Sequence, residues 1–460
     1  MTSVARATAI YEGVAALAES AMELATRRPS PPWLQRLRTA GVSAFEKLGF
    51  PSTHDEDWRF TNLAPLARAA FALSPDAVSL AERTAALELE ARLGPLGLSS
   101  PMPRIVFVNG RLLRRSPGNL TSGILFECMK AVLATSPERV ERALVARAAE
   151  RDLSKQFFGS LGDAFLDEGV VLQVPPGAHL AEPLFILNVS TPPGSTEPPR
   201  MVHTRNLFTF EENSSATVIE IFLGANGPSF ANVQTDVTLG RNARLNHVKI
   251  QLEGPETFHV GRLSVAHAAG ARSASHVFSF GGKLVRNEIV TTLSGEGAGT
   301  ELYGLFCANS GQHVDCHTFI DHAMPRADSV ELYKGVLDGA GRGVFDGKIL
   351  VRAGAVRTDA RQTNRNLILS NSALVDSKPQ LEIHNNDVRC SHGSTTGRLD
   401  ADAVFYLRSR GLSPEAARAL LTYAFGSELI EKVASADVRA FLENHLRAWL
   451  PANLAAPEIR

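Results

Sequence analysis

The sequence predicts a mainly β fold, a parallel β-helix with helical segments at both ends. Three observations carry that prediction. From Gly169 onward β-branched residues, Gly and Asn dominate, in short alternating strands such as TVIEIFL (217–223) and RLNHVKIQL (244–252). The same region repeats: a small-residue turn ending in Ala precedes an alternating strand six times, in NSSATV, GRNARL, AAGARSA, GEGAGTE, MPRADSV and RAGAVRT. The aligned residues are Ala216, Ala243, Ala271, Ala298, Ala327 and Ala355, at steps of 27, 28, 27, 29 and 28. Both ends of the chain are instead rich in Ala, Leu, Glu and Arg with apolar residues three and four apart.

A fixed period in the twenties means stacked units, none of which can bury its own face. A unit this short has no room for a long helix. Small residues at a repeated turn let successive coils approach closely. A β-sandwich with regular hairpins is the competing architecture, because strand spacing alone does not separate the two.

The elements follow in order. Residues 1–103 read as a helical domain. Its first helix, AIYEGVAALAESAMELATRR (9–28), places Val14, Leu17, Met22 and Leu24 roughly on one face. Pro29, Pro31 and Pro32 break it before WLQRLRTAGVSAFEKLGF (33–50). Residues 104–398 read as the β-helix core. It opens with IVFVNGRLL, a strand and turn, and carries a helical insertion at about 124–152 with Glu138, Glu141, Arg142 and Arg147 on a solvated face. An earlier copy of the turn, VPPGAHL, puts Ala178 38 residues before Ala216; without the ten-residue stretch TPPGSTEPPR (191–200) that step becomes 28. Residues 399–460 read as a C-terminal helical domain. Ser413-Pro414-Glu415 is a helix start. Leu420, Leu421, Ala424, Phe425, Leu429 and Val433 form a stripe, and DVRAFLENHLRAWL (437–450) stops at Pro451.

Composition excludes several classes. Lys plus Arg is 47 and Asp plus Glu is 48 in 460 residues, a net charge of −1, which argues against nucleic-acid binding through a basic surface. The four cysteines, Cys128, Cys307, Cys316 and Cys390, form no CxxC pair, which argues against a disulfide scaffold and for reduced thiols. No signal-peptide-like apolar segment and no long apolar run is seen, so the expectation is a cytoplasmic protein with no membrane association. There is no GxxxxGK[ST] loop, no HExxH, no G-x-S-x-G and no Gly-rich dinucleotide fingerprint.

Two regions hold metal-ligand types. Cys307, His313, Cys316, His317 and His322 fall within 16 residues. Neighbours on a strand face opposite ways, so Cys316 and His317 cannot both point inward. The second region is Cys390-Ser391-His392-Gly393, with His384 and Asp387 nearby. Cys390 and His392 are two apart and share a face of any strand. Two ligands do not complete a tetrahedral site, so another coil or a partner must supply the rest. A buried Cys beside a turn His fits the same residues.

The stretch RNLILSNSALVDSKPQLEIHNNDVRCSHGSTTGRLDADAVFYLRSRG (365–411) closely resembles the SufB/SufD family of iron–sulfur cluster assembly proteins, and PQLEI…DVRCSHG…GRLD…FYLRSRG within it looks like the SufD branch. KGVLDGAGRGVFDGKILV (334–351), the pattern Asp315, Thr318, His322, and EDWRFTNL (56–63) are similar to family segments too. The resemblance covers most of the chain from about residue 33.

It implies a right-handed parallel β-helix between two helical domains. It also implies a non-enzymatic subunit of a cytosolic complex. The partners implied are a SufB-like paralogue, whose β-helix pairs with this one, and a SufC-type ABC ATPase docked by the C-terminal helices, which binds the ATP. A desulfurase system supplies sulfur indirectly. The cargo implied is iron or a transient iron–sulfur cluster shared with the partner, and reduced flavin is associated with the family. The CSHG histidine, here His392, is the implied ligand at the paralogue interface, with Cys390 beside it. Two departures stand out. The SufB branch has a cysteine near the segment matching QTNRNLILS (362–370) and this chain has none, so the main thiol belongs to the partner. His384 and Asn385 replace aromatic and small residues, which leaves open whether His384 adds a ligand. An exposed β-helix edge would favour a homodimer when the paralogue is absent. The competing classes are a purely structural docking subunit and a β-helix enzyme acting on polysaccharide.

Overall fold

The computed structural model describes residues 3–28, 30–96, 102–120, 123–148, 156–194 and 197–450. Successive strands alternate between two sheets, so the chain winds as a parallel β-solenoid of about 7 turns. The first sheet takes Val170–Val174, Arg200–Phe210, Ser229–Leu239, Thr257–His267, Leu284–Leu293, His313–His322, Arg342–Val351 and Leu374–Ile383. The second takes Leu184–Ser190, Ser215–Gly224, Arg244–Leu252, Arg272–Ser279, Gly299–Ala308, Asp328–Leu337, Thr358–Ile368 and Val388–Gly397. Neighbours in both stacks pair in parallel, which rules out the hairpins of a sandwich.

The repeat is present, but its register departs from the alanine alignment at both ends. Arg244 faces Arg272, which faces Gly299, which faces Asp328, so Ala243, Ala271, Ala298 and Ala327 stand in one column. The flanking members of that column are Ser214 and Thr358, not Ala216 and Ala355. Backbone conformation sets it. The residue before each member is left-handed: Asn213 at φ 58°, Asn242 at 55°, Gly270 at 66°, Gly297 at 69°, Arg326 and Arg357 at 59°. Gly and Asn tolerate that conformation best, and a small residue after it lets the next coil close over the turn. Ala178 follows Gly177 at φ 69° and joins the same column, with His179 bridging Ser215. Where a hydroxyl replaces the alanine it stays within its own turn: Ser214 Oγ donates to the Glu211 carbonyl at 2.7 Å and Thr358 Oγ1 to that of Ala355 at 2.9 Å.

Alternation puts Val237, Val265, Ile289, Ile320 and Ile349 inside the coils, each fully buried or nearly so. Burying such a side chain contributes about 1.5–3 kcal/mol. The outer faces are covered by helices. Ala86 and Leu89 of the helix Leu80–Ala91, with Leu429, Ile430, Phe441, Leu442 and Leu446 of Pro414–Ile430 and Ala436–Trp449, pack on the second sheet. Ser3–Arg27, Pro32–Leu48 and Phe157–Ala164 pack on the first.

Local signals set these helices, with some differences from the expected stripes. Ser413 accepts from the Ala416 N–H with Pro414 in the first turn, as its residue types predict. The buried residues there are Ala417, Ala419, Thr422, Gly426, Leu429 and Ile430, while Ala424 is exposed. Small residues let this helix lie close to its neighbours: a Cβ at Gly426 would lie 2.8 Å from Leu446. In the first helix Val14, Ala18, Ala21 and Leu24 are buried and Met22 is exposed, because the buried set follows three-and-four spacing. The segment expected to be helical from about 124 begins with the strand Leu125–Cys128. The helices Met129–Thr135 and Pro137–Ala148 follow, and 149–155 lie outside the described residues.

The EDWRFTNL segment and the Asp315 pattern meet on the outer face of the first sheet. Asp315 Oδ2 accepts from Arg286 and from Thr61, both at 2.6 Å, and its other oxygen lies 2.9 Å from His317 Nε2. The Arg286 guanidinium lies 3.8 Å from the Trp58 ring centroid and donates to the Asp57 carbonyl at 2.9 Å. Burial opposes ionisation of Asp315, yet Arg286 and His317 hold its carboxyl well below the usual range. Glu56 then pairs with Lys378 on the last coil.

Candidate functional site

The solenoid has a closed end and an open one. At its start the strand Leu125–Cys128 pairs antiparallel with Val170–Val174, and the hairpin Arg104–Val108 with Arg111–Ser116 covers Leu184–Ser190. At its finish Leu374–Ile383 and Val388–Gly397 are the outermost strands, with no further strand among the described residues. Nearly every residue of Val388–Gly397 is partly or fully exposed.

Cys390 and His392 stand on that last strand. Cys390 is in register with Ala360, His392 with Gln362 and Ser394 with Asn364. Ala360, Gln362 and Asn364 are all buried in the interior, so Cys390, His392 and Ser394 belong to the interior-facing side of the terminal coil. The expected shared face is therefore present. Cys390 is half-buried against the end of the core. Burial pushes its thiol up, so it is protonated at neutral pH and a metal must displace the proton. His392 is exposed at the rim. Among the described residues no three His, Cys, Asp or Glu side chains converge as a metal site. His384 and Asp387 turn elsewhere: His384 Nε2 is 3.0 Å from Glu382, and Asp387 is 3.8 Å from Arg357.

The other dense region does not assemble. Cys316 faces the interior and His317 the outside, as strand alternation requires. His313 lies 2.9 Å from Thr61 Oγ1, and His322 turns inward to Ser329 at 2.9 Å. Cys307, on the other sheet, packs under the C-terminal helices. Burial raises the Cys316 and Cys307 thiols far above neutrality. Next to Cys316 the lumen holds a self-compensated group, with Lys249 2.8 Å from His259 and 2.7 Å from Asn287, and His259 2.7 Å from Glu253.

Sequence reasoning missed the polar layer beneath His392. Gln362, Asn364 and Asn366 are buried and continue a lumen in which earlier coils place Glu331, His247 and Lys249 in the same columns. Gln362 Nε2 donates to Glu331 Oε2 at 2.8 Å, and Asn366 Nδ2 to Asn364 Oδ1 at 2.6 Å. Burial raises the Glu331 carboxyl to about 7. The clue was inward parity: these amides sit at every second position of QTNRN.

Beyond this end, the helix Ala401–Ser409 buries no residue and leaves Phe405 71% and Tyr406 56% exposed. No helix among the described residues is long and apolar enough to cross a membrane.

Comparison with known proteins gives the family. The family model for the SUF system FeS cluster assembly, SufBD core domain, matches residues 193–425, and that for the SufBD protein N-terminal region matches 18–186. The iron–sulfur cluster assembly protein SufD of Escherichia coli is 30% identical over 386 residues, spanning 84% of this chain and 86% of the relative. An iron–sulfur cluster assembly SufBD family protein of Synechocystis is 29% identical over 454 residues, 96% of each chain. The chloroplastic protein ABCI7 of Arabidopsis thaliana is 29% identical over 440 residues, 94% of this chain and 90% of the relative. The chain belongs to the SufBD family of iron–sulfur cluster assembly proteins and is SufD-like.

Proposed function

We propose, with family membership as the premise, that this chain is the SufD-like half of a cytoplasmic SufBCD-type scaffold and has no catalytic activity of its own. The observation that carries the reading is the open end. Two unpaired strand edges invite another strand, and they present Cys390 and His392 at the rim. A SufB-like paralogue pairs there and supplies the remaining ligands, its own thiolate among them. The cargo is iron or a nascent iron–sulfur cluster held between the two chains. Imidazole and thiolate suit iron, and two ligands from each side complete a four-coordinate site.

A SufC-type ABC ATPase docks on the C-terminal helices. The exposed Phe405 and Tyr406 support this, since large aromatics left in water mark contact surfaces. The helix Pro414–Ile430 is tied to the solenoid where Lys334 Nζ donates to the Phe425 carbonyl at 2.7 Å and to Glu428 at 2.5 Å. Closure of two ATPases would therefore pull on the coils and loosen the paired ends, exposing Cys390 and His392 to iron and sulfide.

The test is anaerobic co-purification with the SufB-like and SufC-like partners, followed by iron and sulfide analysis of wild type, His392→Ala and Cys390→Ala. Loss of stoichiometric iron and sulfide in His392→Ala supports the ligand role. Equal loading of all three makes the chain a docking platform only, and failure to form a complex removes the whole reading.

A further inference from the structure

We propose that Gln362 is a positioning residue for His392, holding the imidazole through a hydrogen bond so that its second ring nitrogen faces out of the open end. This rests on the reading of His392 as a ligand given above. Gln362 is 1% exposed, and its Oε1 is shut off from solvent with no hydrogen-bond partner among the described residues. A buried carbonyl without a donor costs free energy, so the position calls for one.

The carboxamide is turned with its nitrogen toward the preceding coil. Its Nε2 is committed to Glu331 Oε2 at 2.8 Å. Across the lumen Gly347 leaves the space it occupies, since a Cβ there would lie 2.5 Å from Gln362 Nε2. With the nitrogen fixed toward Glu331, on the preceding coil, Oε1 is the atom left to face the next one. In-register stacking makes that order explicit: Glu331 faces Gln362, and Gln362 faces His392. A neutral imidazole has one N–H to give and one lone pair to keep. Donating the N–H to Oε1 leaves the lone pair for a metal, which is how an outer hydrogen bond fixes tautomer and ring orientation in metal-ligating histidines. Glu331 orients Gln362 in turn.

The first measurement uses the full chain without metal, labelled with nitrogen-15 at histidine, and His392→Asn assigns the resonance. Wild type should show a His392 ring N–H protected from exchange. Gln362→Leu should lose it, and the exchanged pair Glu331→Gln/Gln362→Glu, which keeps both an internal hydrogen bond and an acceptor facing His392, should restore it. A ring N–H that survives in Gln362→Leu, or that wild type lacks, overturns the proposal. The second measurement is ferrous iron retention by the assembled complex, expected to weaken about 10–100-fold in Gln362→Leu and to recover in the exchanged pair. Unchanged retention in Gln362→Leu also overturns the proposal. Full iron loading of His392→Ala would remove the ligand reading while leaving the apo hydrogen bond to stand or fall on its own.

Discussion

The first and last coils of the solenoid share one architecture and are finished in opposite ways. The first is sealed by its own chain, with an antiparallel strand against the first sheet, a hairpin against the second, and an interior of Phe126, Val170, Leu172, Leu184 and Ile186, all fully buried. The last ends in bare strand edges over Gln362, Asn364 and Asn366. A solenoid must be capped because its terminal coil exposes what every other coil buries. The closed end meets that requirement with helices and strands of its own. Among the described residues the open end keeps amides, a thiol and an imidazole where a cap would sit, and under the proposed function the cap is a surface of the partner. That contrast is what the proposed function rests on.

The sharpest way to break the contrast is to hollow out each end. Phe126→Ala at the closed end should cost about 3–5 kcal/mol in denaturant unfolding, because the cavity is walled on all sides. Leu381→Ala on the last coil, where the side chain is only half-buried, should cost less than about 2 kcal/mol in the isolated chain. Equal losses would mean that the open end is as well sealed as the closed one.

The second test concerns the strap that reaches the open end. Residues 56–61 run from Asp315 toward Lys378 on the last coil. Asp315→Asn leaves Arg286 buried beside a neutral group and should cost about 3–5 kcal/mol. The folded carboxyl lies below its unfolded value. Its contribution is therefore complete above about pH 4, the unfolded value, and is lost as pH falls through the lower folded value. The acid limb of a stability–pH curve should flatten in the variant, and amides near Trp58 should lose protection from exchange. A wild-type-like acid limb would show that the ion pair does not anchor the strap.

How much of this was legible in the sequence follows from the distance each feature spans. The solenoid was legible because its turn recurs locally, and the shared face of Cys390 and His392 because alternation is a property of one strand. The column through Ser214 and Thr358 was not, because residue type pointed to Ala216 and Ala355 while left-handed φ decides the register. The contact between Thr61 and Asp315 joins residues 254 apart, and no local pattern encodes it. Gln362 under His392 is a register relation between coils, visible only once the two strands are paired.

A third test separates the polar end from the rest by pH. Glu331 ionises at about 7 in the folded chain, above its unfolded value, so the folded state holds the proton longer. Stability should therefore fall as pH rises from about 4.5 to 7, by roughly 3 kcal/mol for this group. Glu331→Gln should remove that slope and make the chain more stable than wild type above pH 7, with little difference below pH 4.5. The buried histidines act in the opposite sense: His276 and His322, each lowered to about 4 by burial, withdraw stability as pH falls below about 6.5. A slope that survives in Glu331→Gln would assign it to another group.

The smallest expected effect is the most specific to the comparison. Ser377 and Ser394 share a hydrogen bond of 2.7 Å on the last coil, exposed to water. Water replaces such a bond at little cost, so Ser394→Ala should change the stability of the isolated chain by less than about 0.5 kcal/mol. Inside an interface water can no longer replace the Ser394 hydroxyl, and Ser377, which donates to Asn364 at 2.7 Å, would lose the bond it accepts. Removing it should then weaken the complex measurably, by about 1–3 kcal/mol, in a titration against the partner chain. A hydroxyl that matters only once the end is covered would mark the terminal coil as an unfinished core, whereas no change in either setting would place the partner's contact on some other face.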